Sequence, residues 1–132
     1  MSMNFLLADA ITRIRNAQMA KRKHAILPCS RLVRNSLSVL EREGFIEGFQ
    51  EVEDDSGRLA LKVDLKYKDN DGAIAHIEII STPGCKVYST IDLMPKVING
   101  LGVMVVSTSK GVMSDDQARI EHIGGELLFK VY

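Results

Sequence analysis

The fold of this chain is decided by a stretch near its middle, LALKVDLKY at residues 59–67. Apolar side chains alternate there with mostly charged ones, and this period of two is typical of a β-strand with one buried face. Strands of this kind belong to antiparallel sheets that face solvent on one side. We therefore predict an antiparallel strand whose buried face consists of Leu59, Leu61, Val63, Leu65 and Tyr67.

The residues before this strand predict two helices and two further strands. Apolar residues at helical spacing predict the first helix over residues 5–18, and residues 25–27 favour a short strand. Ser30 is a suitable N-cap for the second helix, which Gly44 would end in the left-handed conformation. Residues 45–52 then predict a strand. The expected buried stripe of the second helix consists of Val33, Leu37 and Leu40.

The second half of the chain is predicted to be mostly β. Residues 69–72, DNDG, form a turn, and Ser114 with Gln117 fits a capping box that predicts a short helix after Ser114. The other predicted elements are strands at residues 74–80, 85–89, 102–106 and 126–131 and a short helix at 93–99.

These elements predict an α+β protein in two parts. An N-terminal α-β-α-β-β half would pack on a mostly β C-terminal half with short helices. The expected boundaries are residues 1–72 for the N-terminal α/β subdomain and 73–132 for the C-terminal subdomain.

Composition limits the cellular setting. A hydrophobic content of 45% with 26% charged residues is typical of a folded globular chain. No apolar run approaches the roughly 20 residues that span a bilayer, so we expect no membrane partner. Cys29 and Cys85 stand far apart and form no CxxC pair, which favours a reducing cytoplasm over a disulfide framework.

The net charge of zero hides an uneven distribution. Residues 1–34 contain seven basic residues and one acid, whereas residues 51–80 contain four basic residues and eight acids. The basic end suits a polyanionic partner such as a nucleic acid. A charge asymmetry that is merely solvated explains the same distribution, and charge alone does not separate the two interpretations.

Enzyme motifs are missing. Gly100-Leu101-Gly102 lacks the third glycine of a dinucleotide-binding loop, and no G-x-S-x-G elbow occurs. His24, His76 and His122 stand alone, without zinc-ligand spacing. The DNDG turn lacks the closing glutamate of a calcium loop. We therefore predict no catalytic residue, no metal and no cofactor.

The unusual segment is Ser107-Thr108-Ser109-Lys110-Gly111, which we call the hydroxyl turn. Its small hydroxyl side chains offer donors and acceptors with little bulk, and Gly111 allows a backbone to approach closely. Such groups suit the 2′-hydroxyls, phosphates and base edges of RNA. An ordinary serine-rich turn is the alternative.

Neighbouring residues would extend this candidate site. Tyr88 is able to stack on an unpaired base, although a half-buried strand aromatic explains it equally well. Lys86 is placed to contact a phosphate. Gly124-Gly125-Glu126 would bring backbone amides and one acceptor to the same face, or would simply be the turn into the last strand.

Several motifs, in order along nearly the whole chain, resemble the bacterial family of the eighth protein of the small ribosomal subunit. The most specific is VVSTSKGVM at residues 105–113. The others are LADAITRIRNA at 7–17, EGFI at 43–46, MPKV at 94–97, GLG at 100–102, AR at 118–119 and GGE at 124–126.

The resemblance implies a non-enzymatic scaffold that binds the central domain of small-subunit ribosomal RNA directly and early in assembly. The hydroxyl turn would be the central contact, with Tyr88 and the turn at residues 124–126 beside it. The basic N-terminal half would touch a second RNA segment through Arg13, Arg15 and the cluster of Lys21, Arg22 and Lys23. Neighbouring small-subunit proteins would be further partners. Some members also repress their own operon by binding messenger RNA, and here that role is a hypothesis.

The chain departs from the family pattern in two ways. Family members are usually basic, whereas this chain is neutral, so we expect the acidic residues 51–80 to face away from RNA. Where the family often carries arginines near Pro83-Gly84, this chain has Thr82 and Lys86. A lysine lacks the planar fork of arginine, so phosphate contacts there would be weaker and the hydroxyl turn more important.

Two other classes of function remain open on the residues alone. A small-ligand enzyme would use the hydroxyl turn as an anion cradle, but it needs a general base that no motif identifies. A protein-interaction module would use exposed strand edges instead.

Overall fold

The computed structural model describes residues 3–132, with side chains from residue 5 onward. Contacts divide the chain into two compact units, one ending at Ala73 and the other spanning Ile74–Tyr132. Helices and antiparallel sheets are both present, which confirms the predicted α+β class. None of the described helices is long and apolar enough to cross a membrane.

In the first unit, the stretch at residues 59–67 supplies the middle strand of a three-stranded antiparallel sheet. The strand order is β1-β3-β2. A two-stranded hairpin, β4 with β5, follows the sheet. The elements are α1 (Met3–Met19), β1 (His24–Pro28), α2 (Arg31–Arg42), β2 (Ile46–Glu53), β3 (Leu59–Leu65), β4 (Tyr67–Lys68) and β5 (Asp71–Gly72).

The predicted signals for α2 are confirmed. The Ser30 hydroxyl accepts a hydrogen bond from the Val33 amide at 3.1 Å and so caps the first turn. Gly44 has a φ of +83°, the left-handed conformation that glycine adopts without strain. The predicted stripe, Val33, Leu37 and Leu40, is buried.

One part of the face assigned to β3 is wrong. Leu61, Val63 and Leu65 are buried as predicted, but Leu59 is 58% exposed and Ala60 is buried. Leu59 begins the strand opposite the exposed Glu53, beside the turn that joins β2 to β3, so it lies at the margin of the sheet. Tyr67, which was assigned to the same face, lies beyond this strand in β4.

The predicted turn at residues 69–72 is confirmed as the loop of a small hairpin. Asp69 and Asn70 have φ values of +52° and +69° and connect β4 directly to β5. Two consecutive residues with positive φ are typical of a type I′ turn, which matches the twist of the strands it joins.

The second unit is built around its last strand. The sheet has the order β6-β10-β8-β9, and β7 also pairs with β10. Its elements are β6 (Ile77–Ile79), β7 (Tyr88–Ser89), β8 (Val103–Thr108), β9 (Gly111–Ser114), α3 (Asp115–Glu121) and β10 (Gly125–Val131). A core cluster joins the sheet to α3 and the preceding loop and includes Met94, Val97, Met104, Val106, Met113, Ala118 and Leu127.

Several predicted elements of this unit differ from the structure. The strands predicted at residues 74–80 and 85–89 are shorter, and β9 was not predicted. The helix predicted at 93–99 is wrong, because two 3₁₀ turns, Ile91–Leu93 and Val97–Gly100, stand in its place. Pro95 separates them, and proline is incompatible with a helix interior.

The helix predicted after Ser114 is confirmed as α3. Ser114 caps it by accepting from the Gln117 amide at 3.2 Å. The reciprocal half of the capping box is not formed, because the Gln117 side-chain amide donates to Glu121 at 3.2 Å instead.

Asp115 connects α3 to the sheet. Its carboxylate, 1% exposed, accepts from the Met104 amide at 3.1 Å and pairs with Arg119 at 2.6 Å. Arg119 also donates to the carbonyls of Met94 and Pro95, at 3.3 and 3.0 Å. Asp115 and Arg119 therefore help to join β8, α3 and the 3₁₀ segment.

Candidate nucleic-acid interface

The hydroxyl turn lies at the tip of the hairpin formed by β8 and β9. Thr108 and Gly111 are the last paired residues, and Ser109-Lys110 form the loop between them. The Thr108 hydroxyl donates to the Gly111 carbonyl at 2.7 Å and accepts from the Lys110 amide at 3.1 Å. These two bonds brace the loop, so the Thr108 hydroxyl is already engaged within the protein.

The other two hydroxyls of the turn are available to a ligand. Ser107 is partly exposed and Ser109 is exposed, and neither hydroxyl bonds another group within residues 3–132. Gly111 has a φ of +114°, and a Cβ there would meet no atom within 4 Å. The turn therefore presents two hydroxyls beside an unobstructed stretch of backbone.

Strand pairing brings Tyr88 and Glu126 beside Ser107. Glu126 of β10 is paired with Ser107 of β8 on one side and with Tyr88 of β7 on the other. Paired residues of antiparallel strands point to the same face, so the three side chains form one row across the sheet. Tyr88 is 66% exposed, which excludes the half-buried alternative.

Gly124 and Gly125 allow this row to form. A Cβ on Gly125 would lie 2.1 Å from the Ser107 carbonyl oxygen, and one on Gly124 would lie 2.4 Å from that of Ser89. No side chain fits at either place, so both glycines are required by the close approach of β7 and β8 to the start of β10. Their first role is thus structural.

The two lysines of the site differ in their surroundings. Lys110 forms an ion pair with Glu121 at the end of α3, with 3.3 Å between Nζ and Oε2. Lys86 is exposed, two residues before Tyr88, and makes no side-chain bond within the part of the chain that the structure describes. We did not predict the partner of Lys110 from the sequence, because the two residues are eleven positions apart.

The basic residues predicted in the N-terminal half lie in the first unit, and all five are exposed. Arg13 pairs with Asp9 at 3.1 Å and donates to the Ile26 carbonyl at 3.2 Å. The Lys21 ammonium donates to the Asn70 carbonyl. Arg15, Arg22 and Lys23 complete the predicted set.

Arg13 lines an open groove between α1 and β1. The groove has a volume of about 520 Å³, and its polar lining comes from Arg13, Asn16, Arg22 and His24. Asn16 and His24 were not predicted as site residues, because their position depends on how β1 packs beside α1. The Nδ1 atom of His24 lies 3.5 Å from Oδ1 of Asp64, so acidic as well as basic residues border this surface.

Among the described residues, no three His, Cys, Asp or Glu side chains are grouped as a metal site requires. Ser107 and Ser109 have no carboxylate or imidazole bonded to them within those residues. The arrangement therefore offers hydroxyls, an aromatic ring and cations for binding, and not a nucleophile activated by a base.

Comparison with known proteins gives full-length matches. A family model described as ribosomal protein S8 matches residues 6–132. The chain is 48% identical to small ribosomal subunit protein uS8 of Nitrobacter hamburgensis over 132 residues, the whole of both chains. The proteins of the same name from Rhodopseudomonas palustris and Erythrobacter litoralis are 46% and 47% identical, again over their whole lengths.

These matches define the class as a non-enzymatic ribosomal protein. Within this class, the chain belongs to the ribosomal protein S8 family. The resemblance inferred from the motifs and the prediction that the chain is not an enzyme are both confirmed by this membership.

Proposed function

We propose that this chain is a structural protein of the small ribosomal subunit that binds the central domain of small-subunit ribosomal RNA and helps to assemble that region. One observation carries the proposal. Ser107 and Ser109 present hydroxyls with no bond inside the described residues, on a hairpin that Thr108 already braces. As a ribosomal protein the chain works in the cytoplasm, the compartment that its cysteines predicted.

The chemistry of the row suits irregular RNA. Proteins recognise RNA sequence mainly at loops, bulges and splayed bases, where aromatic rings stack and short polar groups reach 2′-hydroxyls and base edges. Tyr88 offers a ring and Ser107 a hydroxyl on the same face of the sheet. Because the strands are paired, these groups are held in place before RNA binds, and this lowers the entropy cost of binding.

The basic residues of the first unit would hold a second RNA segment. Arg13, Arg15, Lys21 and Lys23 are exposed and would contact phosphates, which fix orientation without reading sequence. The acidic residues 51–80 would face away from RNA, since carboxylates repel phosphates. Neighbouring ribosomal proteins of the small subunit are the other expected partners.

Repression of its own operon is a separate hypothesis. It follows from the family resemblance alone and requires a messenger RNA that presents the same features as the ribosomal site. A footprint of this protein on its operon leader would show a protected segment if the hypothesis is correct, and an unprotected leader would remove it.

A binding titration with an RNA fragment of the central domain tests the main proposal. Wild type is compared with Ser107→Ala/Ser109→Ala, and Ser38→Ala serves as the matched control. Ser38 lies on α2, and its hydroxyl donates to the Arg34 carbonyl one turn earlier. We expect tight binding by wild type and control, and affinity at least about tenfold weaker in the double variant, since each buried polar contact contributes roughly 1–3 kcal/mol.

Two results would contradict the proposal. A folded wild-type protein that does not bind the fragment would remove the RNA partner itself. Equal binding by wild type and the double variant would keep RNA as the partner but remove the hydroxyl turn as its contact.

A further inference from the structure

The loop between α1 and β1 carries three adjacent cations, Lys21, Arg22 and Lys23. Two hydrogen bonds end the helix, from the Lys21 amide to the Gln18 carbonyl at 3.0 Å and from the Arg22 amide to the Ala17 carbonyl at 2.9 Å. This pattern is a Schellman motif, whose left-handed residue is usually glycine. Here that residue is Lys21, with a φ of +58°. A glycine would end the helix with less strain, so the helix end alone does not explain this loop.

The same loop is tied to residues far along the chain, in β3 and in the hairpin of β4 and β5. Each of the three cationic residues forms one of these hydrogen bonds. The Tyr67 hydroxyl donates to the Arg22 carbonyl at 2.5 Å, the Leu65 amide donates to the Lys23 carbonyl at 2.9 Å, and the Lys21 ammonium donates to the Asn70 carbonyl. The backbone of the loop is therefore held on both of its sides.

These bonds leave two of the three charges available to a ligand. The side chains of Arg22 and Lys23 are exposed and form no hydrogen bond or ion pair within the part of the chain that the structure describes. Arg22 also lines the groove between α1 and β1, together with Arg13. The bond from Tyr67 reaches only a backbone carbonyl, so an RNA phosphate that binds the cations does not have to break it.

We propose that Tyr67 is a positioning residue for RNA binding, which holds the loop so that Arg22 and Lys23 meet phosphates in one fixed arrangement. This inference rests on the proposed function and deepens it. Adjacent like charges repel each other, so an unsupported loop would spread over many conformations. RNA would then have to order the loop as it binds, at a cost in entropy, whereas a loop that is already ordered avoids this cost.

The test begins with Tyr67→Phe, which keeps the half-buried ring and removes only the hydroxyl. We expect this variant to bind the central-domain RNA fragment about three- to tenfold more weakly than wild type, because the loop is no longer ordered before binding. Tyr132→Phe is the matched control, since the Tyr132 hydroxyl has no hydrogen bond within residues 3–132. The control should bind like wild type, and equal binding by Tyr67→Phe would overturn the proposal.

Two further readouts separate positioning from a general loss of stability. In an Arg22→Gln/Lys23→Gln background, Tyr67→Phe should cause no further loss of affinity, because no charge is left to position. A loss that persists in this background would overturn the proposal. NMR order parameters of the amides at residues 21–23 should fall in free Tyr67→Phe and recover when RNA binds. Unchanged order parameters in the free variant would likewise overturn it.

Failure of this inference is distinguishable from failure of the proposed function. If folded wild type does not bind the fragment, the proposed function fails. If Arg22→Gln/Lys23→Gln binds as tightly as wild type, these cations do not contact RNA and Tyr67 has nothing to position. If that variant binds weakly but Tyr67→Phe binds like wild type, the positioning role alone falls. Thermal unfolding of each variant confirms that the comparison is made between folded proteins.

Discussion

At the scale of single residues, the three hydroxyls of the turn differ in their hydrogen bonds, although they look alike in the sequence. The Thr108 hydroxyl is bonded to two backbone groups of its own loop, whereas those of Ser107 and Ser109 have no bond within residues 3–132. We therefore propose that neighbouring side chains of similar chemistry divide the two roles: Thr108 braces the loop, and Ser107 and Ser109 bind RNA.

This division predicts opposite behaviour for two substitutions. Thr108→Val should lower the free energy of unfolding by about 1 kcal/mol, because it removes both bonds of the Thr108 hydroxyl. Ser109→Ala should leave stability unchanged and weaken RNA binding. Denaturant unfolding and an RNA titration on both variants check the prediction, and a Ser109→Ala protein that is clearly less stable would refute the division.

Gly125 gives a second prediction at this scale. Gly125→Ala should destabilise the protein by about 1–3 kcal/mol, because the added Cβ would meet the Ser107 carbonyl oxygen at 2.1 Å. Gly84→Ala is the matched control, since its Cβ would meet no atom within 4 Å. Thermal unfolding should give a lower midpoint for Gly125→Ala than for Gly84→Ala. Equal midpoints would show that β8 and β10 have room to move apart.

At the scale of elements, α3 depends on one buried carboxylate. Asp115 bonds the Met104 amide and Arg119, whereas its neighbour Asp116 is largely exposed and, among the described residues, bonds Arg119 alone. Asp115→Ala should lower the free energy of unfolding by about 3 kcal/mol, because it leaves a buried amide without an acceptor and a cation without its partner. Asp116→Ala should cost less than about 1 kcal/mol. If denaturant unfolding gave similar losses of stability for the two variants, the dependence of α3 on Asp115 would be contradicted.

The turn between β2 and β3 predicts a pH dependence. Hydrogen bonds from Ser56 and from the Arg58 amide to the carboxylate lower the pKa of Asp54 below its ordinary value. A carboxyl with a lowered folded pKa stabilises the fold above its unfolded pKa, and this contribution is lost as pH falls through the folded pKa. NMR titration of Asp54 should therefore give a low midpoint that rises in Ser56→Ala, and an unchanged midpoint would exclude the hydroxyl as the cause.

Much of the fold could be predicted from local signals. The caps Ser30, Gly44 and Ser114 were identified because their chemistry acts within a few residues of the chain. The helix predicted at residues 93–99 is wrong, because the prediction gave the spacing of the apolar residues more weight than the presence of Pro95. The burial of Ala60 in place of Leu59 depends on where the sheet ends, which one strand does not reveal.

The candidate site was predicted less completely. Its residue types marked the hydroxyl turn, but the row of Ser107, Glu126 and Tyr88 depends on strand register. The hydrogen bond that the Thr108 hydroxyl accepts had a signal in the sequence, because a threonine two residues before an amide in a loop often accepts a hydrogen bond from that amide. The ion pair of Lys110 with Glu121 had a weaker signal in the sequence, a carboxylate at the C-terminal end of a predicted helix, where the helix dipole does not favour a negative charge.

At the scale of the whole molecule, the neutral net charge limits how RNA is bound. Strongly basic proteins gain affinity by releasing counterions, and their binding weakens steeply with salt. Here the basic residues of positions 1–34 are offset by the acids of positions 51–80. We expect a shallower salt dependence than that of a strongly basic RNA-binding protein, because hydroxyl and stacking contacts contribute more.

The acidic segment gives a prediction of its own. Glu53→Gln/Asp55→Asn should change the affinity for the central-domain fragment by less than about twofold at physiological salt. We expect these acids to face away from RNA, and the interaction between charges more than about 8 Å apart is largely screened. Glu53 and Asp55 are exposed, so their replacement should not disturb folding. A large gain in affinity in the titration would place these acids close to RNA.

We propose that the hydroxyl turn, rather than the basic N-terminal half, supplies most of the recognition. The most direct test measures affinity for the central-domain fragment across a range of salt for wild type, Ser107→Ala/Ser109→Ala and Arg15→Gln/Lys23→Gln. We predict that the serine variant loses more affinity with an unchanged salt slope, whereas the basic variant loses less and its slope flattens by about 1 for each lost phosphate contact. A basic variant that loses nearly all affinity while the serine variant binds normally would contradict the claim.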